Sequence, residues 1–281
     1  MVNDPNLAQA LRDGKTRVMG VVNVTPDSFS DGGDFYDPEI AVEHGIEMIR
    51  DGADVIDIGG ESSRPGAKVV DVDEEIRRVV PVIKGLKGKA KYISIDTRNA
   101  KTMEAAIKAG ANIINDISAL TSDSRSVGVA AEAKVPVILM HMLGNPQTMQ
   151  DNPNYNNVIE DVFEWLKGRV EYCDTHRLGA QNLILDPGIG FGKTTQDNLL
   201  ILRNIKNFFD LGCPILLGAS RKSFIAKISK GEDADQRLAG SLSSVLWGLS
   251  QGVKFFRVHD VAETVQAVKV YEAILDRAPE S

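Results

Sequence analysis

Residues 183–193 are Leu-Ile-Leu-Asp-Pro-Gly-Ile-Gly-Phe-Gly-Lys. The first three form a short apolar run, which is typical of a parallel strand that is buried on both faces. The run then ends in a carboxylate, a proline and three glycines, which favour a loop that can close around a ligand. The stretch therefore predicts an ionisable group, Asp186, at the end of a rigid strand.

A phosphate-binding P-loop is the alternative for this stretch, because Gly190, Gly192, Lys193 and Thr194 resemble its end. That motif needs a glycine five residues before its Gly-Lys-Thr triplet, and this chain has Pro187 there. The spacing therefore argues against a P-loop.

The same unit, an apolar run that ends in a polar residue, recurs along the chain and is separated each time by residues of helical periodicity. Strict alternation of strands and helices predicts a parallel sheet with right-handed crossovers. Eight units within 281 residues predict an α/β fold, a (β/α)8 TIM barrel. We expect a single domain over residues 1–281, with a polar lead-in at 1–15.

An open, doubly wound sheet is the other architecture that alternating strands and helices allow. It predicts a Gly-x-Gly-x-x-Gly turn directly after the first strand. The residues that follow Asn23 contain no such turn, so the closed barrel is the better interpretation.

Net charge, apolar runs and cysteine content limit the kinds of partner and the cellular compartment that we expect for this protein. Thirty-two basic and 39 acidic residues give a net charge of −7, which argues against nucleic acid as the main partner. The sequence shows no signal peptide and no apolar run of the ~18 residues that a membrane span needs, so we expect a cytoplasmic protein without membrane contact. We expect Cys173 and Cys213 to be buried thiols in a reducing compartment.

In a (β/α)8 barrel the carboxyl ends of all strands meet on one face. The polar residues at these ends are Asn23, Ser63 with Arg64, Asp96, Asn115, His141, Asp186, Lys222, and Arg257 with His259. The opposite strand ends carry little beyond glycine, alanine and proline. Stability alone does not account for this asymmetry, so we interpret the polar face as a catalytic or binding face.

One group on this face is Asp96, Asn115 and Asp186, from the third, fourth and sixth strands. Two carboxylates and an amide suit a flat heterocycle with several N–H donors, such as an aminopyrimidine edge. Lys222 can meet a carbonyl or ring nitrogen from the other side, and Phe191 can cover the ring face. This group therefore predicts a site for a nitrogen heterocycle.

A second group comes from the first, second and eighth strands and consists of Asn23, Ser63, Arg64, Arg257 and His259. An amide, a hydroxyl, two guanidiniums and an imidazole predict an anion site, most simply for phosphate or pyrophosphate. Asn23, with Asp27 and Asp31 in the loop after it, also suits Mg²⁺, which prefers oxygen ligands and is commonly shared with phosphate.

Each of these residues also has a purely structural interpretation. Asp96 and Asp186 could cap the helices that follow them, and Lys222 could be an exposed surface residue. His259 could cap or pack, and His141 could be structural. The functional interpretation depends on the shared face and not on any single residue.

Seven segments at successive strand ends resemble those of the dihydropteroate synthases, the folate-pathway enzymes, along nearly the whole chain. They are Asn-Val-Thr-Pro-Asp-Ser-Phe-Ser-Asp-Gly-Gly at 23–33, Gly-Glu-Ser-Ser-Arg-Pro-Gly at 60–66, Ile-Asp-Thr at 95–97, Ile-Asn-Asp at 114–116, Leu-Asp-Pro-Gly-Ile-Gly-Phe-Gly-Lys at 185–193, Ser-Arg-Lys-Ser-Phe at 220–224 and Arg-Val-His-Asp at 257–260. Any one is weak, whereas seven in order are specific. Ser63 departs from the family's usual threonine; the hydroxyl is kept, so we expect altered packing and not lost chemistry.

The resemblance implies an enzyme that joins 6-hydroxymethyl-7,8-dihydropterin diphosphate to p-aminobenzoate and releases pyrophosphate, with Mg²⁺ held at Asn23. It implies a pterin site formed by Asp96, Asn115, Asp186 and Lys222, and a diphosphate site formed by Asn23, Ser63, Arg257 and His259. The loops after the first two strands would form the p-aminobenzoate pocket, together with Phe29, Ser63, Pro65 and Ser223. Asp96, Lys222, Arg257 and His259 would carry the catalysis, and a homodimer is implied.

Because the sequence offers no covalent nucleophile, we expect a dissociative, SN1-like path. A corrinoid-linked methyltetrahydrofolate methyltransferase is one alternative, but it would not need the Ser-Arg-Lys-Ser-Phe segment or the long first loop. A non-enzymatic pterin-binding paralogue is another, and it would be expected to have lost residues of the diphosphate group. None of those residues is missing here.

Overall fold

The computed structural model of the chain describes residues 7–25, 37–62, 66–67 and 69–275. Its strands are β1 Arg17–Asn23, β2 Val55–Gly59, β3 Tyr92–Asp96, β4 Ile113–Asp116, β5 Val137–Met140, β6 Leu183–Asp186, β7 Leu216–Leu217 and β8 Phe255–Val258. Its helices are α1 Leu7–Ala10, α2 Pro38–Arg50, α3 Val72–Leu86, α4 Ala100–Ala109, α5 Ser126–Ala133, α6 Val158–Thr175, α7 Thr195–Arg203, α8 Ser223–Ile228, α9 Leu238–Ser250 and α10 Val261–Leu275.

The strands form one parallel sheet in the order β6-β5-β4-β3-β2-β1-β8-β7. A parallel bridge between Leu185 and Ile215 brings the two edges together, and the Leu185 N–H donates to the Pro214 carbonyl at 2.9 Å. The sheet is thus a nearly closed barrel with helices between its strands. The predicted (β/α)8 fold is confirmed.

The barrel interior begins with an apolar layer to which each strand contributes one residue. The layer consists of Met19, Val55, Tyr92, Ile113, Ile138, Ile184, Leu216 and Phe255, joined by Leu11 from the turn after α1. Arg12 donates to the carbonyls of Ala180 and Gln181, which precede β6. Leu11 and Arg12 therefore pack against the amino ends of the strands, where Leu11 covers the apolar layer.

The second interior layer has the opposite character, because side chains of a strand point inward at every second residue. Two residues after each member of the apolar layer come Val21, Asp57, Ser94, Asn115, Met140, Asp186, Gly218 and Arg257. Most of these are polar or charged. The interior therefore changes from apolar to ionic toward the carboxyl ends of the strands.

The larger apolar cluster lies between the sheet and the surrounding helices and includes Ile58, Ile83 and Ile95. Both cysteines are buried free thiols, as predicted, and burial raises the pKa of Cys173 to about 11. Within the described ranges, no helix has the length and apolarity that crossing a membrane requires.

Candidate active site

The centre of the polar face is an ion-pair network on the second interior layer. The Arg257 guanidinium donates from Nε to Asp57 Oδ2 at 2.7 Å and from Nη2 to Asp96 Oδ2 at 2.8 Å. Asn115 Nδ2 donates to the same Asp57 oxygen at 3.1 Å. Three of the predicted residues, Asp96, Asn115 and Arg257, are thus brought together, and one carboxylate that was not predicted joins them.

Asp57 is not among the predicted residues because it lies inside an apolar run and not at its end. Its side chain is fully buried, whereas those of Asp96 and Arg257 are 12% and 19% exposed. Acidic side chains are almost never fully buried unless they are paired. The sequence signal that could have found Asp57 is therefore a carboxylate at an inward position of the strand Val-Ile-Asp-Ile-Gly.

Asp96 is the carboxylate of this network that faces the barrel mouth. Burial raises its pKa to about 7, against the attraction of Arg257, while Asp57, Asp116 and Glu75 raise the pKa further by repulsion. Near neutral pH the unliganded protein thus holds Asp96 between its neutral and ionised forms. A ligand that donates an N–H to this carboxylate favours the ionised form.

Asp186 ends β6, with 5% of its surface exposed. Its Oδ1 accepts the Gly188 N–H at 2.7 Å, and its Oδ2 faces Gly218 of the following strand end. Burial raises the pKa of Asp186, while the Gly188 N–H and the charges of Lys222 and Lys193 lower it. The turn thus holds the carboxylate in place through Oδ1, with Oδ2 on the side of Gly218.

The capping interpretation of the two aspartates is wrong. The N-cap residue of the helix after Asp96 is Asn99, and that of the helix after Asp186 is Thr194. Thr194 forms a capping box with Asp197, so α7 needs no carboxylate from the strand end. Both strand-end aspartates are therefore free of the structural role that competed with a functional one.

Lys222 and Phe191 contact each other across the mouth of the barrel. The Lys222 ammonium lies 3.9 Å from the centre of the Phe191 ring. Gly190 allows this approach, because a Cβ there would lie 2.9 Å from Lys222 Cδ. Burial, with Arg257 nearby, lowers the pKa of Lys222 to about 8, against the attraction of Asp186 and Asp96. Lys222 is not the exposed surface residue of the structural interpretation.

A small apolar cluster lies beside these charges and supplies an apolar surface for one face of a ligand ring. It consists of Ile117, Met140, Met149 and Phe191, with Met142 packed against it. Only Phe191 of this cluster is predicted from the sequence, because the others come from the loop after β4, the end of β5 and the loop after β5 and share no spacing. Methionine adapts to irregular shapes, so the cluster suits the face of a flat ligand.

His141 and Lys193 form a buried pair beneath the same loop. Lys193 Nζ lies 2.9 Å from His141 Nδ1 and donates to the Phe191 carbonyl at 3.0 Å. Burial and the Lys193 charge lower the pKa of His141 to about 2, and burial lowers the pKa of Lys193 to about 7. His141 is thus structural, and Lys193 holds the loop to β5 instead of reaching for a phosphate.

His259 lies beyond the end of β8 and pairs with the end of β7. Ser220 Oγ is 3.1 Å from His259 Nδ1 and accepts the His259 backbone N–H at 3.2 Å. Burial, with the charges of Arg257, Arg221 and Lys222, lowers the pKa of His259 to about 3. The imidazole is therefore neutral at physiological pH.

The remaining predicted residues lie at the rim or outside the described part. Asn23 is half-buried at the end of β1, which pairs with both β2 and β8 as expected. Ser223 is exposed at the start of α8. Phe29, Ser63, Arg64 and Pro65, with Asp27 and Asp31, fall outside the described residues.

Of the glycine-to-alanine substitutions in this loop, Gly188→Ala is expected to disrupt the site most. A Cβ at Gly188 would lie 1.9 Å from the His141 carbonyl oxygen, a backbone atom that cannot yield without moving β5. We expect a loss of at least about 3 kcal/mol in unfolding free energy, by overpacking and backbone strain together. Urea denaturation measures it.

Gly212→Ala is the matched control, because Gly212 has the same φ of +71° as Gly188 but no heavy atom within 4 Å of a Cβ. It carries only the left-handed backbone strain, about 1–2 kcal/mol. Equal losses in the two variants would show that the contact with His141 is unimportant.

Comparison with known proteins matches residues 19–259 to the model of the pterin binding enzyme family. A dihydropteroate synthase of Clostridium beijerinckii is 45% identical over 265 residues, 94% of this chain and 96% of that protein. The Xanthomonas albilineans dihydropteroate synthase with 4-aminobenzoic acid superposes with a TM-score of 0.88 at 43% identity, over 94% of each chain. The Xanthomonas albilineans dihydropteroate synthase in complex with 7,8-dihydropteroate superposes with a TM-score of 0.85 at 40% identity, over 94% of this chain and 95% of the Xanthomonas chain.

Proposed function

This chain belongs to the dihydropteroate synthase family of pterin-binding enzymes, and on that premise we propose how its residues carry the reaction. The substrates are 6-hydroxymethyl-7,8-dihydropterin diphosphate and p-aminobenzoate, and the products are 7,8-dihydropteroate and pyrophosphate. The observation that carries the proposal is the ionic layer at the barrel mouth, in which Arg257 joins Asp57 and Asp96 beside an apolar wall.

The pterin binds between the charged layer and the apolar cluster. Asp186 accepts N–H bonds from the aminopyrimidine edge, a charge-assisted contact that leaves its bond to Gly188 in place. Asp96 and Asn115 meet the other ring nitrogens, and Lys222 donates to the ring carbonyl. Phe191 and its methionine neighbours cover the ring face.

The diphosphate lies toward Asn23, Ser63, Arg64, Arg257 and His259. Neutral His259 donates an N–H to a phosphate oxygen, and the rise in negative charge beside it favours its protonation. Arg257 approaches the bridging oxygen while it remains bonded to Asp96. These groups stabilise the charge that collects on the leaving group.

A magnesium ion fits this site on the chemistry of its donors. Asn23 offers an amide oxygen at the barrel mouth, and among the described residues no group of three or more His, Cys, Asp or Glu could form a full protein cage. Magnesium typically keeps one or two protein ligands and takes the rest from phosphate and water. When bound, it would neutralise part of the diphosphate charge.

Bond changes follow a dissociative, SN1-like order. The exocyclic C–O bond breaks with both electrons passing to the pyrophosphate, and the positive charge on the carbon spreads into the dihydropterin ring. Asp96 and Asp186 stabilise that charge from below. The neutral amine of p-aminobenzoate then forms the C–N bond and loses a proton to water. Its pocket lies beside Ser223, with Phe29, Ser63 and Pro65 contributed by the loops.

Purified protein with both substrates and Mg²⁺ is expected to form dihydropteroate and pyrophosphate in equal amounts, and chelation is expected to stop both. Asn23→Ala should raise the Mg²⁺ concentration for half-maximal rate by about tenfold or more, since one ligand is lost. Asn207→Ala, an exposed asparagine before β7, serves as the control.

Pterin binding without any product would contradict the synthase assignment and favour a non-enzymatic paralogue. Methyl transfer to a cobalamin protein would favour the methyltransferase. Full activity in the presence of excess chelator would refute the magnesium requirement and leave the reaction assignment intact.

A homodimer and a cytoplasmic location complete the proposal. On α9, Val245 and Leu249 are buried in the core, whereas Trp247 is 44% exposed and donates from its indole N–H to the Leu202 carbonyl at 2.7 Å. An exposed tryptophan suits a contact with a second subunit. Light scattering of the purified protein tests the dimer.

A further inference from the structure

Asp57 is the residue that β2 contributes to the ionic layer. Its side chain is fully buried, and its Oδ2 accepts from Arg257 Nε at 2.7 Å and from Asn115 Nδ2 at 3.1 Å. The carboxylate on β2 thus holds side chains from β8 and β4. Its other oxygen, Oδ1, has no hydrogen-bond partner within the described ranges.

These two hydrogen bonds determine the orientation of the donor and acceptor groups that Asn115 and Arg257 present to a ligand. Because Asn115 donates to Asp57, the rotation of its amide is fixed, and its second N–H and its oxygen take defined directions. Because Arg257 Nε is bonded to Asp57, the guanidinium plane is fixed and Nη2 is held against Asp96. A long side chain that would otherwise sample many rotamers is therefore set before the substrate arrives.

We propose that Asp57 is a positioning residue of the synthase, which orients Asn115 for the pterin and Arg257 for the diphosphate, and shares the guanidinium with Asp96. The inference rests on the proposed function, because the ligand whose binding it controls is the dihydropterin. Asp57 itself, being buried beneath the other residues, does not touch the substrate.

The sharing has an electrostatic consequence for Asp96. Several charged groups face Asp96. Arg257 attracts its ionised form, whereas Asp57, Asp116 and Glu75 repel that form. Ionised Asp96 in turn stabilises the charged form of Lys222. Among these carboxylates Asp57 has the largest effect. Replacing Asp57 with a neutral residue removes that repulsion and leaves the guanidinium to Asp96 alone. Both changes lower the pKa of Asp96 from about 7.

The test measures binding of 6-hydroxymethyl-7,8-dihydropterin, which lacks the diphosphate and does not turn over, by calorimetry between about pH 5 and about pH 8. In the wild-type protein the affinity should fall about tenfold per pH unit below about pH 7, as one proton must leave Asp96. In Asp57→Asn the start of that fall should move down by about one pH unit or more. The titration of the ligand itself is common to all variants.

A second readout compares the effect of the substitution on turnover with its effect on the Michaelis constant. At about pH 8, where Asp96 is ionised in both proteins, Asp57→Asn should lower turnover about tenfold, because Arg257 is no longer held in one plane. The Michaelis constant for the pterin substrate should change less. A residue that only supported the fold would not move the pH profile at all.

Asp54→Asn is the matched control. Asp54 precedes the same strand and accepts from Arg17 at 3.2 Å, so the variant also breaks an aspartate–arginine pair, but at the opposite end of the barrel. We expect it to lower stability and leave the pH profile unchanged. If Asp57→Asn is insoluble, Asp57→Ser, smaller and also neutral, should show the same downward shift.

An unchanged pH profile in a folded Asp57 variant would overturn the inference, and so would an upward shift. That result is distinct from failure of the proposed function, which would appear as no pterin binding and no product in the wild-type protein. Shifts of equal size in Asp54→Asn and Asp57→Asn would also overturn it, since the effect would then be a general response to losing an ion pair.

Discussion

Asp186→Asn is expected to weaken dihydropterin binding by about 100-fold or more. The carboxylate is nearly buried, and its Oδ1 already accepts the Gly188 N–H, so the turn can survive the substitution. The amide that replaces Oδ2 is a donor, and it would face the N–H donors of the pterin edge. Each hydrogen bond to a charged group is worth about 1.5–3 kcal/mol, so losing two and opposing two donors exceeds 100-fold.

Calorimetry with 6-hydroxymethyl-7,8-dihydropterin measures this loss directly. Asp116→Asn is the control, because Asp116 is likewise a buried carboxylate at a strand end, and burial raises its pKa to about 6. Its hydrogen-bond donors within the described part of the chain are local, namely Ser118 and Leu120. We expect the control to lower stability and to keep affinity within about threefold. Equal affinity of the Asp186 variant and the wild type would refute the assigned pterin edge.

The parts of the site that the sequence predicts are those at strand ends. Asp96, Asn115, Asp186 and Lys222 each follow an apolar run, and a closed barrel brings such positions to one face whatever their separation in the chain. Periodicity alone therefore finds the fold and the rim of the site. Closure of the barrel also predicts that the first strand lies between the second and the eighth, and β1 does pair with β2 and with β8.

Residues that act from inside the barrel are not visible in the same way. Asp57 lies within an apolar strand, where a pattern of hydrophobic residues treats it as an exception. Lys193 resembles the lysine of a phosphate-binding loop in its local sequence, yet its ammonium group lies beside His141. Which buried charges meet depends on three-dimensional register, and a single sequence carries no record of it. The pairing of Arg257 with Asp96 is one example, since residue type and strand position place Asp96 in the heterocycle site and Arg257 in the anion site.

Arg257→Ala is expected to affect both stability and turnover. The substitution leaves Asp57 and Asp96 without the cation that they share. Removing one partner of a buried pair costs about 3–5 kcal/mol. Turnover should fall about 100-fold or more, because the departing diphosphate loses a guanidinium that is positioned in advance. Urea denaturation and steady-state kinetics measure the two effects.

The pH dependence of that stability loss separates a missing charge from a missing shape. A carboxyl group whose pKa is raised by folding costs stability as pH rises above its ordinary value, until the pH passes the raised pKa. Burial already raises the pKa of Asp96 to about 7, and loss of Arg257 raises it further. The gap in unfolding free energy between wild type and Arg257→Ala should therefore widen from about pH 6 to about pH 8.

Arg257→Lys keeps the charge but cannot bridge two carboxylates with one planar fork, so it should recover most of the stability and little of the turnover.

Arg257→Ala and Asp57→Asn should move the pH profile of pterin binding in opposite directions. Arg257→Ala should move it upward, because it removes the cation, and Asp57→Asn should move it downward, because it removes the carboxylate that competes with Asp96 for that cation. Shifts of the same sign in both variants would mean that Asp96 responds to solvent entering the barrel. The shared guanidinium would then not control its ionisation.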